Sequence, residues 1–271
     1  MHSDKNISGL LDDLLRQFKL HWRLEKTIRQ LGRLRGAFYR NSRPDVSQGR
    51  ALIFCTSYIN DVQRYQRWID YVYPRRDVFG ADCVILINDG MENVEFDDRL
   101  ALVDVQKELP RKLPGDLVMF TFPDRLGRPS MFCYPGWWRS FTYSVRIAQK
   151  YGFDKIIHIE SDAFVCSRRL ADHIRSINWG WTSLWSHCYS MPETAIQVIC
   201  RDSFENLERF ANGGDEFFQS SNTAAEYLLP FRKIESQFKG DRYAMLGRHL
   251  GGEVFDFLTQ VRPEWDFNSD F

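Results

Sequence analysis

The sequence predicts an α/β fold built on a mainly parallel sheet, and three observations carry that prediction. Apolar runs recur at residues 51–55, 83–87 and 117–122 without polar alternation, as strands covered on both faces require. Segments with helical spacing follow them, the order that lays helices on both faces of a parallel sheet. Polar residues close the strands at Thr56-Ser57, Asn88-Asp89 and, later, Glu160-Ser161-Asp162, and such sheets bind ligands beyond their carboxyl ends.

At the start of the chain, Leu11, Leu14, Leu15, Phe18, Trp22, Ile28 and Leu31 form a helical stripe, while Arg16, Lys19, Arg23, Lys26, Arg29 and Arg33 occupy other positions. Leu14 to Arg43 holds nine Lys or Arg and one acid. This basic amphipathic arm, residues 1–44, fits an anionic membrane surface met through residues 10–43, and equally a helix packed on protein. Asn41 to Arg50 is a linker rich in Ser, Pro, Asp and Gly. It leads into one domain at 45–271.

Within that domain Ala51–Cys55 reads as the first strand, and Asn60 can cap a helix through Val62, Tyr65, Trp68, Ile69 and Val72. Cys83–Ile87 and Leu117–Phe122 are further strands, Trp137–Lys150 a helix, Lys155–Glu160 a strand and Arg168–Ile177 a helix. After Trp181–Trp185 and Ala195–Ile199 the strands lose regularity. The second half is expected to build a separate binding wall from aromatic loops.

Composition limits the function. The 271 residues suffice for one large α/β domain, and 36 Lys+Arg against 36 Asp+Glu argue against nucleic acid as a partner. No apolar run reaches the roughly 18–20 residues of a membrane span, and the N-terminus lacks a secretory core, so a cytoplasmic location is expected, with the arm on the inner membrane face. Cys55, Cys83, Cys133, Cys166, Cys188 and Cys200 form no C-x-x-C pair, so they read as free thiols rather than zinc ligands.

The Gly-rich cradles for dinucleotides and NTPs are absent, as are H-E-x-x-H, G-x-S-x-G and the EF-hand loop. What remains is Ile156-Ile157-His158-Ile159-Glu160-Ser161-Asp162. Strand alternation projects Glu160 and Asp162 from one face, two carboxylates suited to Mg²⁺ or Mn²⁺. The alternative is a turn in which Ser161 and Asp162 cap the helix beginning near Ser167.

This strand-end E-x-D, in a chain whose first strand opens Ala-Leu-Ile-Phe-Cys-Thr-Ser-Tyr and whose second ends Asn-Asp-Gly, resembles the GT-A glycosyltransferases over about residues 50–258. The resemblance implies a GT-A-like sheet and a hexosyltransferase that uses a nucleotide-diphosphate sugar with Mn²⁺ or Mg²⁺. The acceptor it implies is a glycan or lipid-linked molecule, in cell-surface polysaccharide or lipopolysaccharide synthesis. It makes Asp162 the direct metal ligand, Glu160 a metal-water or ribose contact, Asp89 the nucleoside contact and His249 a late metal ligand. Thr56 and Ser161 belong to the same nucleotide-sugar set.

The chemistry has its own logic. A departing nucleoside diphosphate gathers negative charge, and a carboxylate-held metal stabilises it. Arg139, near a helix start, can meet phosphate or stack on Trp138, and Arg125 and Arg128 are weaker versions of the same idea. An inverting transferase needs a base for the acceptor hydroxyl. Glu226, Glu193 and Asp215 are the candidates, with Thr223 and Glu226 also at capping-box spacing. His158 reads as a core histidine, and Trp179, Trp181, Trp185 and Tyr189 as a sugar-facing wall or core. Two rival functions stay open: a sugar-phosphate nucleotidyltransferase, and a non-catalytic sugar-binding protein of the same fold.

Overall fold

The structure, a computed structural model, describes residues 49–59, 62–90, 96–130, 132–221, 223–242 and 255–262. The basic arm and His249 lie outside the described residues, as does the side chain of Asp215.

Strand β1 (Ala51–Ser57) is buried along its first six residues, because it lies at the centre of a sheet with helices on both faces. It pairs in parallel with β2 (Cys83–Asn88) on one side and β5 (Lys155–Ile159) on the other. Beyond β2 come β4 (Leu117–Thr121) and the edge strand β3 (Ala101–Asp104), both parallel. Beyond β5 the direction reverses. The antiparallel β8 (Met191–Cys200) and then β7 (Trp181–Ser186) follow, and β9 (Lys233–Glu235) runs parallel to β7 at the far edge.

Side-chain alternation assigns the faces. Ala51, Ile53, Cys55 and Ile157 pack with helices α1 (Val62–Val72) and α3 (Arg168–Ser176). Leu52, Phe54 and Ile156 pack with α2 (Pro135–Tyr151), α4 (Phe204–Ser220) and α5 (Ala225–Leu228). A three-stranded sheet of β6 (Phe164–Val165), β10 (Gly240–Arg242) and β11 (Phe257–Thr259), ordered β10-β11-β6, adds its apolar side to the first core.

The chain leaves β1 toward β2 and β4, then crosses back to place β5 on the other flank of β1. The carboxyl ends of β1 and β5 therefore bound the point where strand order reverses, the place where open α/β sheets leave a ligand crevice.

The expected strands and helices through residue 177 are found within two residues of their predicted ends. The later half differs: β7 and β8 join the main sheet, with a register shift between Ser183 and Leu184, instead of forming a separate aromatic wall. Their apolar stretches are buried because helices still cover both faces there. Strand β3, helix α4 and the small sheet were not foreseen. β3 is a four-residue edge strand with Leu102 56% exposed, which carries no buried-strand signal. None of the six cysteines is in a disulfide. Among the described residues no helix is long and apolar enough to cross a membrane.

Candidate active site

Glu160 follows β5 directly and lies at the strand-order reversal. Its backbone N–H donates to the Ala195 carbonyl of β8 at 2.9 Å. Across the crevice, the Thr56 hydroxyl on β1 lies 2.8 Å from Oε2 and 2.9 Å from Oε1 of its carboxylate. Helix α2 supplies a third element. Pro135 occupies its first turn, where no N–H is missed, and two residues on the Trp137 indole N–H donates to Glu160 Oε1. The Trp137 ring is held by stacking on Phe141, one turn later, with centroids 4.5 Å apart.

Beneath the carboxylate, His158 is fully buried and stacked on Phe54 at 4.6 Å. Its Nε2 lies 3.1 Å from Glu160 Oε1 and its Nδ1 3.1 Å from the Thr194 carbonyl. Burial alone would raise the Glu160 carboxyl. The pull of nearby His158 and the hydrogen bonds from Trp137 and Thr56 outweigh burial and hold it below the ordinary value.

After Glu160 the chain turns sharply, with the Ala163 N–H donating to the Glu160 carbonyl at 2.9 Å. Ser161 and Asp162 sit half-buried on this turn, and the Asp162 carbonyl ties it to Val261 N–H at 3.0 Å. The turn does not cap the next helix. Ser167 does, accepting from Leu170 N–H at 3.2 Å.

Among the described residues no cluster of three His, Cys, Asp or Glu could hold an ion alone. Mg²⁺ sites completed by substrate phosphates need only one or two carboxylates, and Mn²⁺ takes the same oxygen ligands. Asp162 at the turn fits as such a carboxylate. Glu160, with both oxygens engaged by Thr56 and Oε1 also by Trp137, fits a hydrogen-bonding role better than direct ligation.

Asp89 and Arg139, expected to meet nucleoside and phosphate, are bonded to each other. Asp89 is 4% exposed. It also accepts from Gly127 N–H at 2.8 Å and Leu126 N–H at 3.3 Å. Arg139 further donates to the Asp124 carbonyl and lies over the Phe122 ring at 4.1 Å. The pair thus fixes the loop after β4 against α2. Gly136 permits this approach, since a Cβ there would stand 1.9 Å from Asp89 Oδ2. Asn88 is likewise structural: it accepts from Ile59 N–H at 3.0 Å and donates to the Gly90 carbonyl at 2.6 Å.

Glu193 and Glu226 are brought together by a residue the sequence did not single out. Arg242 Nε lies 3.2 Å from Glu193 Oε2, and its Nη2 lies 2.9 Å from Glu226 Oε1. Glu193 Oε1 accepts from Ala195 N–H at 3.1 Å, and Oε2 accepts from the Thr259 hydroxyl at 3.1 Å. Burial raises the Glu193 carboxyl; Arg242 and the Ala195 N–H oppose this without cancelling it, and Glu226 adds to the rise. Glu226 Oε1 also receives the Thr194 hydroxyl at 3.3 Å. The capping box with Thr223 does not form, because Ala224 occupies the cap position without a side-chain bond.

Of the expected aromatic wall, Trp181 is core, donating to Gln197 Oε1 at 2.8 Å, whereas Trp179 is 44% exposed. Tyr189 lies under the Arg242 guanidinium at 4.6 Å. Trp137 and Arg242 went unrecognised. Trp137 had a signal, its place at the start of the helix feeding the E-x-D strand; Arg242, in Gly240-Asp241-Arg242, had none.

No family model and no curated protein matches the chain. Solved structures are similar to it, these two among them. One is a glycosyltransferase involved in glycosylation of the major capsid of PBCV-1, at 7% identity and a TM-score of 0.44, over 78% of this chain and 92% of that one. The other is the mannosyltransferase PcManGT from Pyrobaculum calidifontis in complex with GDP-Man and Mn²⁺, at 13% identity and a TM-score of 0.36, over 66% of this chain and 53% of that one.

Proposed function

We propose that the chain is a glycosyltransferase that moves a sugar from a nucleotide-diphosphate donor to an acceptor hydroxyl, assisted by Mn²⁺ or Mg²⁺. The observation that carries this reading is the half-buried Glu160 carboxylate, held by Thr56 and Trp137 at the point where strand order reverses. That is where an open α/β sheet receives a nucleotide. Glu160 serves as an acceptor for a donor hydroxyl, and Thr56 and Trp137 fix its orientation. Asp162, with Ser161 beside it, faces the diphosphate; His249 is a second ligand in this reading. A divalent cation bound there would neutralise charge on the departing diphosphate. Asp89 and Arg139 set the wall of the crevice rather than touching the donor. One of the two glutamates joined by Arg242, Glu193 or Glu226, takes the acceptor's proton.

The acceptor is a glycan or lipid-linked hydroxyl, and the basic arm of residues 10–43 would hold the protein against an anionic membrane carrying such acceptors. Incubation with Mn²⁺ and a panel of nucleotide sugars tests the function. Slow release of nucleoside diphosphate, abolished by Asp162→Asn, is the expected result. Pyrophosphate-dependent exchange would instead identify a nucleotidyltransferase, and binding without turnover a sugar-binding protein. Vesicle flotation with and without residues 1–44 tests the arm, and equal partitioning of both forms would remove it.

A further inference from the structure

We infer that Glu226 is the group that takes the acceptor's proton, and that Glu193 and Arg242 are positioning residues that aim it; this rests on the transferase reading above. The two glutamates differ in what their bonds leave open. Glu193 has both oxygens engaged, by Ala195 N–H on one and by Arg242 and Thr259 on the other, and its side chain is 3% exposed. Three donors and this burial leave its one remaining lone pair, on Oε1, closed off from a substrate. Glu226 uses only Oε1, which receives Arg242 Nη2 and the Thr194 hydroxyl, while Oε2 makes no hydrogen bond among the described residues. Its side chain is 11% exposed.

Arg242 is the hinge of the arrangement. Its planar fork places Nε on one carboxylate and Nη2 on the other, so the position of Glu193 dictates that of Glu226. The Tyr189 ring below keeps the guanidinium plane fixed. Thr194 links the assembly to the donor end. Its hydroxyl holds Glu226, its carbonyl faces His158, and the next residue, Ala195, accepts the Glu160 N–H.

In the step this geometry supports, the acceptor oxygen bonds to the anomeric carbon and its proton passes to Glu226 Oε2. The bond from the anomeric carbon to the diphosphate oxygen breaks, and its electron pair leaves with the nucleoside diphosphate.

Steady-state release of nucleoside diphosphate from UDP-glucose, UDP-galactose and GDP-mannose with Mn²⁺ tests the assignment, with water as acceptor. Glu226→Gln should lower kcat by about 10²–10⁴ without changing donor KM. Glu193→Gln and Arg242→Lys should lower kcat by about ten- to hundredfold through misplacement, again with KM unchanged. Arg242→Lys keeps the charge and loses the fork, so an unchanged kcat would overturn the positioning role. A Glu193→Gln variant as inactive as Glu226→Gln would make Glu193 the base and overturn the assignment. Crystal structures of Glu193→Gln and Arg242→Lys give a readout independent of turnover. Loss of the 2.9 Å Arg242 to Glu226 contact is expected in each, and retention of Glu226 in place would overturn the proposal. If the unaltered protein releases nothing from any donor, the transferase reading fails by itself and these structures decide the positioning.

Discussion

The crevice between β1 and β5 and the cluster around Arg242 both hold glutamates partly or wholly out of solvent, yet they do so with opposite electrostatics. At the crevice, Glu160 receives donors from Thr56 and Trp137 and the pull of His158, and its carboxyl is held below the ordinary range. Around Arg242, two carboxylates share one guanidinium, and burial leaves Glu193 above that range. The first site favours a standing negative charge. The second holds its charges in a balance that removal of one member upsets. The difference teaches that burial does not fix the state of an acid; the number and kind of donors around it do.

The sharpest way to break the comparison is to remove the shared cation. Arg242→Met leaves Glu193 buried without its partner and should cost about 3–5 kcal/mol, measured by urea unfolding; a loss below about 1 kcal/mol, the worth of a surface pair, would show the cluster to be marginal. At the crevice, Trp137→Phe removes one donor to a charged acceptor while Thr56 remains, and a loss of about 1.5–3 kcal/mol is expected. Gly136→Ala tests the wall. Alanine ordinarily favours a helix over glycine by about 0.5–1 kcal/mol, but the collision with Asp89 reverses the sign, to a net loss of about 1–3 kcal/mol. A gain would show that α2 and the Asp89 loop separate easily.

The pH dependence of unfolding sharpens the contrast. Because the folded Glu160 carboxyl lies below its ordinary 4.5, its contribution is complete above that pH and is lost as pH falls through the lower folded value. Glu160→Gln should flatten this acid limb. Glu193 lies above its ordinary 4.5, so its cost is absent below that pH and grows as pH rises toward the folded value. Glu193→Gln should remove that loss of stability as pH rises from 4.5. Equal and parallel shifts in the two variants would contradict the opposed environments.

How far the sequence revealed each region follows from the same difference. The crevice is made by strands whose apolar runs announce themselves, and its residues close those runs: Thr56 after Cys55, Glu160 after Ile159. Parallel pairing then brings them together without further information. The Arg242 cluster draws Glu193, Glu226, Arg242 and Thr259 from four elements, two of them three-residue strands of the small sheet with no periodicity to read. Glu193 and Glu226 could be nominated as acids of suitable type, but the cation joining them depends on tertiary pairing alone. Asp89 closes a strand and Arg139 stands near a helix start, positions that can face a ligand, but their pairing with each other is tertiary and left no mark in the sequence.

The central claim, that the E-x-D corner receives a metal-bound diphosphate, is tested most directly by calorimetric titration of UDP and GDP in Mn²⁺. For the unaltered protein, binding of at least one nucleotide is expected to weaken tenfold or more, about 1.4 kcal/mol, when EDTA is added or Asp162 becomes Asn. The same dissociation constant under all three conditions would contradict the account.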